Sequence, residues 1–210
     1  MSNLQKRILT SLIILPLSFF FVVKGGYSLT FFLIFVLFAG MHELFSVFKK
    51  KTTILFLGSL LILSLLSIYY LKSNIYNDYI LYWIIILCVC SDIGGYVFGK
   101  IFKWKKLSKI SPKKTISGVF GSFFFSLIWL VIAHEILKFV VLDFKYFLLT
   151  IIFSMVAQTG DLTISYFKRL ERIKDTGKML PGHGGIFDRI DGLMFVVILT
   201  FILNKFTVIL

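Results

Sequence analysis

The sequence predicts an all-α fold: a polytopic integral membrane helical bundle of about seven transmembrane helices, with its N-terminus on the cytoplasmic side. Three observations carry that prediction. Of 210 residues, 58% are hydrophobic and the mean hydropathy is +0.93, far above a soluble domain of this size. Several windows reach the roughly 20 apolar residues that a helix needs to cross a hydrocarbon layer of about 30 Å. Finally, the 23 Lys and Arg residues separate by loop, 18 on one side of the alternating spans and five (Lys24, Lys72, Lys138, Lys145 and Lys205) on the other. Short cytoplasmic loops hold the positive charge, so this split also fixes the orientation and places the C-terminus outside.

The spans run approximately from Ile8 to Val23, Tyr27 to Phe48, Thr52 to Leu71, Tyr79 to Phe98, Gly118 to Val141, Tyr146 to Ser165 and Ile186 to Ile209. Lys6 and Arg7 precede the first apolar run as in a signal peptide, but no small-residue cleavage site follows, so it reads as an uncleaved first helix. His42 and Glu43, near the end of the second span, suit an interfacial or helix-capping role, as do His134 and Glu135 near the outer end of the fifth. In the fourth span, Cys88 and Cys90 lie roughly 200° apart around a helix and cannot pair with each other. Asp92 in the same span is costly in lipid and points to a polar cavity. Its neighbours Gly94, Gly95 and Gly99 fit a close helix crossing. No internal repeat or long linker divides the chain. Residues 1–78 read as an N-terminal scaffold of about three spans, and 79–210 as a catalytic region with two basic cytoplasmic loops.

The formal charge of +13 does not imply nucleic acid, because the basic residues adjoin spanning helices. Anionic headgroups and nucleotide phosphates are the expected partners. In the loop before the fifth span, Lys113, Lys114 and Thr115 bring ammoniums and a hydroxyl to the start of a helix. That combination suits a phosphate, although orientation alone also accounts for the lysines.

The most concentrated chemistry lies between Ser165 and Asp191, which holds six basic residues, four acids and one of three histidines in 27 positions. Just upstream, Asp161 is a second intramembrane acid, suited to a metal or an ion pair. Asp161, Ser165, Lys168 and Arg169 fall at i, i+4, i+7 and i+8, one face of a helix. Beyond Lys174 and Asp175, a Pro- and Gly-rich turn presents His183. Asp188 and Asp191 follow at i, i+3 with Arg189 between them. Capping explains either acid alone, whereas both together with Asp161 would make an oxygen-rich magnesium site.

This stretch resembles the signature of the phosphatidate cytidylyltransferase (CDP-diacylglycerol synthase) family: Ser-x-hydrophobic-Lys-Arg, four residues, Lys-Asp, then Pro-x-His-Gly-Gly-hydrophobic-x-Asp-Arg-hydrophobic-Asp. Ser165, Phe167, Lys168, Arg169, Lys174, Asp175, Pro181, His183, Gly184, Gly185, Ile186, Asp188, Arg189, Ile190 and Asp191 meet every specified position. The upstream segments SDIGGYVFGK and KLSKISPKKT look like family segments too, so the resemblance covers roughly residues 91–192. Ser117 departs from the pattern, standing where the family usually has glutamate. The N-terminal half is also shorter than in many relatives, which raises lost spans or a homodimer as alternatives.

The resemblance implies transfer of CMP from CTP to phosphatidate in the bilayer, giving CDP-diacylglycerol and pyrophosphate in phospholipid biosynthesis. The setting it implies is the inner (plasma) membrane, with the active site facing the cytoplasm. On that reading Asp161, Asp188 and Asp191 hold Mg2+, with a monovalent cation as a second candidate. Lys168, Arg169 and Lys174 hold phosphates, Lys113 and Lys114 form a second cationic group, and Ser165 and Arg189 line the substrate site. His183 orients a phosphate or moves a proton. Three other readings carry their own signs. A CDP-alcohol phosphotransferase would show Asp-Gly-x-x-Ala-Arg, which is absent. An ion-coupled transporter would use Asp92 and Asp161 as relays, and a non-catalytic lipid binder would tolerate neutralisation of Asp161 or Asp188.

Overall fold

The computed structural model describes residues 16–74, 79–108, 111–112, 114–138, 140–177 and 184–206. The regular elements among them are helices: α1 (residues 16–24), α2 (Gly26–Val47), α3 (Lys51–Asn74), α4 (Tyr79–Phe102), α5 (Ile116–Glu135), α6 (Phe144–Leu170) and α7 (Phe187–Phe206). Five of them, α2 to α6, are long and apolar enough to span a membrane. That bears out the polytopic bundle: five spans qualify among the described residues, the first expected span (Ile8 to Val23) lies largely outside them, and α7 is not one of the five. The physical reason at α7 is charge, since it opens on Asp188, Arg189 and Asp191.

Helix ends moved where local hydrogen bonding overrode hydropathy. The apolar run Ile136 to Val141 extends the expected fifth span, yet α5 stops at Glu135, with Lys138 in the left-handed region (φ 54°). His134 Nδ1 lies 3.0 Å from the Val140 carbonyl, bracing this turn. Asp143 then caps α6, its carboxylate accepting from Tyr146 N–H at 2.8 Å. At its other end α6 continues past Ser165 to Leu170. It closes with Arg172 in the left-handed region, Arg172 N–H donating to the Arg169 carbonyl and Ile173 N–H to that of Lys168. This is a Schellman cap built without glycine.

The chain forms two compact units, residues 1–75 with 167–190 and residues 76–166 with 191–210. In the first, Leu29, Leu33 and Leu44 of α2 are buried while Phe31, Phe35 and Phe38 form an exposed stripe. Such a stripe is what lipid solvates in a spanning helix. Phe56 of α3 stacks on Phe167, and Glu171 accepts from Lys50 N–H at 3.0 Å. In the second unit the glycines of α4 serve the close crossing expected of them. A methyl at Gly94 would strike the carbonyl of Gly121, and one at Gly95 would sit 2.8 Å from Ser122 Oγ. Ser122 Oγ donates to the Ser91 carbonyl at 2.8 Å, and Trp129 Nε1 to that of Trp83 at 3.0 Å. Cys88 and Cys90 are free, as the spacing requires.

Candidate functional site

The polar residues singled out in the sequence gather in two clusters, one in each unit. In the first, Lys168 near the end of α6 and Asp188 in the first turn of α7 form an ion pair of 2.6 Å. Both side chains are about nine-tenths buried, with 10% and 8% exposed. The second oxygen of Asp188 accepts from Thr176 N–H (2.8 Å), Thr176 Oγ1 (3.1 Å) and Gly185 N–H (3.1 Å). Four donors therefore converge on one carboxylate. The Gly184 backbone is left-handed (φ 86°), and a methyl there would meet Asp188 Oδ2. Gly184 and Gly185 of the signature thus pack against a carboxylate that fixes a buried ammonium. Arg169 and Lys174 are exposed, and Arg169 also donates to the Ile173 carbonyl at 3.0 Å. Arg189 is exposed on the first turn of α7.

A residue from far upstream completes this cluster. Glu43 of α2 is only 3% exposed, and its Oε2 accepts from Ile186 N–H at 2.7 Å. The capping role expected of it is met, but for the start of α7 and not for its own helix. Neither Glu43 nor Thr176 stood out as functional in the sequence. For Glu43 the available signal was an acid facing the interior of an apolar helix.

In the second cluster, Lys114 Nζ lies 2.6 Å from Asp161 Oδ2 and 3.2 Å from the Gln158 carbonyl. Ser165 Oγ donates to Asp161 Oδ1 at 3.4 Å, as the i, i+4 spacing predicts. The Asp191 carboxyl is within hydrogen-bonding reach of Asp161 and close to Asp92. Asp191 also accepts from Gly192 N–H at 2.8 Å. Three helices therefore bring three acids near one another, and Asp92, which the sequence assigned to a polar cavity, belongs with them. The lysine loop is secured beside them: Thr115 caps α5 by accepting from Gly118 N–H at 3.1 Å, and the Ser117 hydroxyl lies 3.0 Å from Thr115 Oγ1. At the departure from the family pattern, then, Ser117 supports the cap. Lys113 and His183 lie outside the described residues.

Hard-cation chemistry fits the donor set of this second cluster. Carboxylate oxygens on separate helices are typical ligands for Mg2+. Among the described residues, no three His, Cys, Asp or Glu side chains are arranged to close around an ion by themselves. Substrate phosphate oxygens or water would complete the coordination, as is usual for Mg2+.

A family model described as "Cytidylyltransferase family" matches residues 52–207. Among curated relatives, the chain is 46% identical over 123 residues to a phosphatidate cytidylyltransferase of Staphylococcus aureus (strain COL), covering 57% of this chain and 46% of that protein. It is 43% identical over 120 residues to the protein of that name in Staphylococcus haemolyticus (strain JCSC1435), and 42% over 120 residues to that in Staphylococcus epidermidis (strain ATCC 35984), with the same coverage. The chain thus spans about half the length of the curated relatives it matches.

Proposed function

Because this chain belongs to the cytidylyltransferase family, we propose that it transfers CMP from CTP to phosphatidate, forming CDP-diacylglycerol and pyrophosphate. The observation that carries this reading is the 46% identity to a phosphatidate cytidylyltransferase over 123 residues. A phosphate oxygen of phosphatidate attacks the α-phosphorus of CTP, a new P–O bond forms, and the bond to the bridging oxygen of pyrophosphate breaks. Attacking and leaving groups are both anionic, so positioned cations lower the barrier by neutralising charge and holding the in-line geometry.

The residues divide that work by their surroundings. Lys168, held by Asp188, is a pre-oriented ammonium for a phosphate. Lys114 and Lys113 offer cations from the α4–α5 loop, and Arg169, Lys174 and Arg189 supply exposed positive charge at the rim. Ser165 hydrogen-bonds Asp161 and so steadies it. His183 is assigned to orienting a phosphate, because a phosphate monoester is already nucleophilic and needs no strong base. Mg2+, when bound, would neutralise charge on the triphosphate, and Asp161, Asp191 and Asp92 would hold it together with substrate oxygens or water. Asp188 shares that role only by exchanging the donors that now occupy its oxygens. The reading places the chain in the plasma membrane with both basic loops in the cytosol, where CTP arrives. It also carries a homodimer, which cross-linking in membranes tests.

Detergent-purified protein incubated with phosphatidate, radiolabelled CTP and Mg2+ should move label into the lipid phase. Label should be lost with EDTA and with Asp161→Asn. Folded wild-type protein that labels no lipid would refute the proposal.

A further inference from the structure

The best-defined polar arrangement that the proposed reaction does not use is the one around Glu43. This residue lies outside the stretch matched by the family model, which begins at residue 52. Nonetheless its carboxylate is buried against the segment that carries Asp188. Oε2 accepts from Ile186 N–H at 2.7 Å, and the Phe187 N–H and Thr176 hydroxyl lie beside the same carboxylate. A helix start leaves its first amides without partners. At α7 a side chain from α2, 143 positions away, supplies the acceptor.

Two glycines show how closely the loop is moulded to this side chain. A methyl at Gly177 would stand 3.0 Å from Glu43 Cγ and Cδ, and one at Gly185 would collide with Glu43 Oε1. Gly185 is also the residue whose N–H donates to Asp188, and Thr176, next to Gly177, donates to Asp188 twice. Glu43 and Asp188 therefore grip the same short backbone from two directions. Among the described residues the side-chain hydrogen bonds of Glu43 go to this segment, so its influence passes through that backbone.

We propose that Glu43 is a positioning residue: its carboxylate locks residues 176–177 and 185–187 into the one conformation in which Asp188 holds Lys168. The role in catalysis rests on the transferase reading, whereas the role in ordering the loop does not.

The test uses the full chain in detergent with Glu43→Gln and Glu43→Met. Glutamine keeps an acceptor for Ile186 N–H, and methionine keeps the volume but removes the acceptor, which limits cavity effects on folding. Hydrogen–deuterium exchange of the peptide covering residues 184–190 is read beside CMP transfer. Losing a hydrogen bond to a charged acceptor should speed exchange there by about tenfold or more in the methionine variant. Its kcat should fall by a similar factor, while the glutamine variant stays within about threefold of wild type on both readouts. Unchanged exchange in Glu43→Met overturns the proposal, and so does a glutamine variant as inactive as methionine with normal exchange, since the carboxylate would then act directly. Wild-type protein without CMP transfer would sink the transferase reading alone, and the exchange data would still decide the locking role.

Discussion

Replacing Asp188 by Asn tests the buried ion pair most directly, because the substitution preserves shape while removing charge. Four donors point at this carboxylate: Lys168 Nζ at 2.6 Å, Thr176 N–H at 2.8 Å, and Thr176 Oγ1 and Gly185 N–H at 3.1 Å. An amide offers one acceptor oxygen and one NH2 group. Either rotamer therefore turns a donor against donors, toward the ammonium in one case and toward Thr176 and Gly185 in the other. With both side chains about nine-tenths buried, the stranded ammonium is not rescued by water. Breaking such a pair from one side costs about 3–5 kcal/mol. Titration from mild into denaturing detergent should show that loss for Asp188→Asn. The double variant Lys168→Gln/Asp188→Asn should recover most of it, because the Asn NH2 then faces an amide oxygen and its own oxygen faces Thr176 and Gly185. CMP transfer should remain abolished in both, since neither presents a pre-oriented cation. A single variant within about 1 kcal/mol of wild type, or a double variant no more stable than the single, would refute the argument that this pair is buried and mutually dependent.

Three further outcomes follow from the second unit and from α3. Gly94→Ala should destabilise by about 1–3 kcal/mol, because the methyl meets the Gly121 carbonyl and lies 2.7 Å from Phe125 Cβ. Gly58→Ala on α3, whose methyl finds its nearest neighbour at 3.6 Å, should be neutral or stabilising by up to about 1 kcal/mol; the same detergent titration distinguishes the two. Lys114→Met should change stability by less than about 1 kcal/mol, since its pair with Asp161 is partly exposed at 24% and 30%. Labelled-CTP assays should nonetheless show its transfer rate down by about tenfold or more.

Much of this architecture was legible from hydropathy and charge. The spans that became α2 to α6 were found because a long apolar run has few alternatives to a membrane helix. The end of α5 was not, because hydropathy rates Ile136 to Val141 as membrane while the Asp143 cap and the left-handed Lys138 decide where the chain turns. Spacing along one helix correctly joined Asp161 to Ser165. Partners across helices were harder. Lys114 with Asp161, Glu43 with Ile186 N–H and Asp92 with Asp191 are separated by 47, 143 and 99 positions, and periodicity carries no information over such distances. Glu43 was undervalued for a related reason: a glutamate near a helix end looks like a surface cap until its burial is known.

Asp188 and Asp191 show what neighbours add to a motif. Three positions apart on α7, they read in the sequence as an equivalent pair of carboxylates. In the structure they meet opposite surroundings. Asp188 receives a buried ammonium and three neutral donors. Asp191 faces the acids Asp161 and Asp92, with one Lys114 ammonium bonded to Asp161. Carboxylates near one another repel when ionised, and a cation between them relieves that repulsion. On the proposed reading a divalent ion therefore belongs to the second cluster, whereas the oxygens of Asp188 are already taken by donors. Two aspartates three positions apart therefore meet different partners, and only the residues opposite each one separate them.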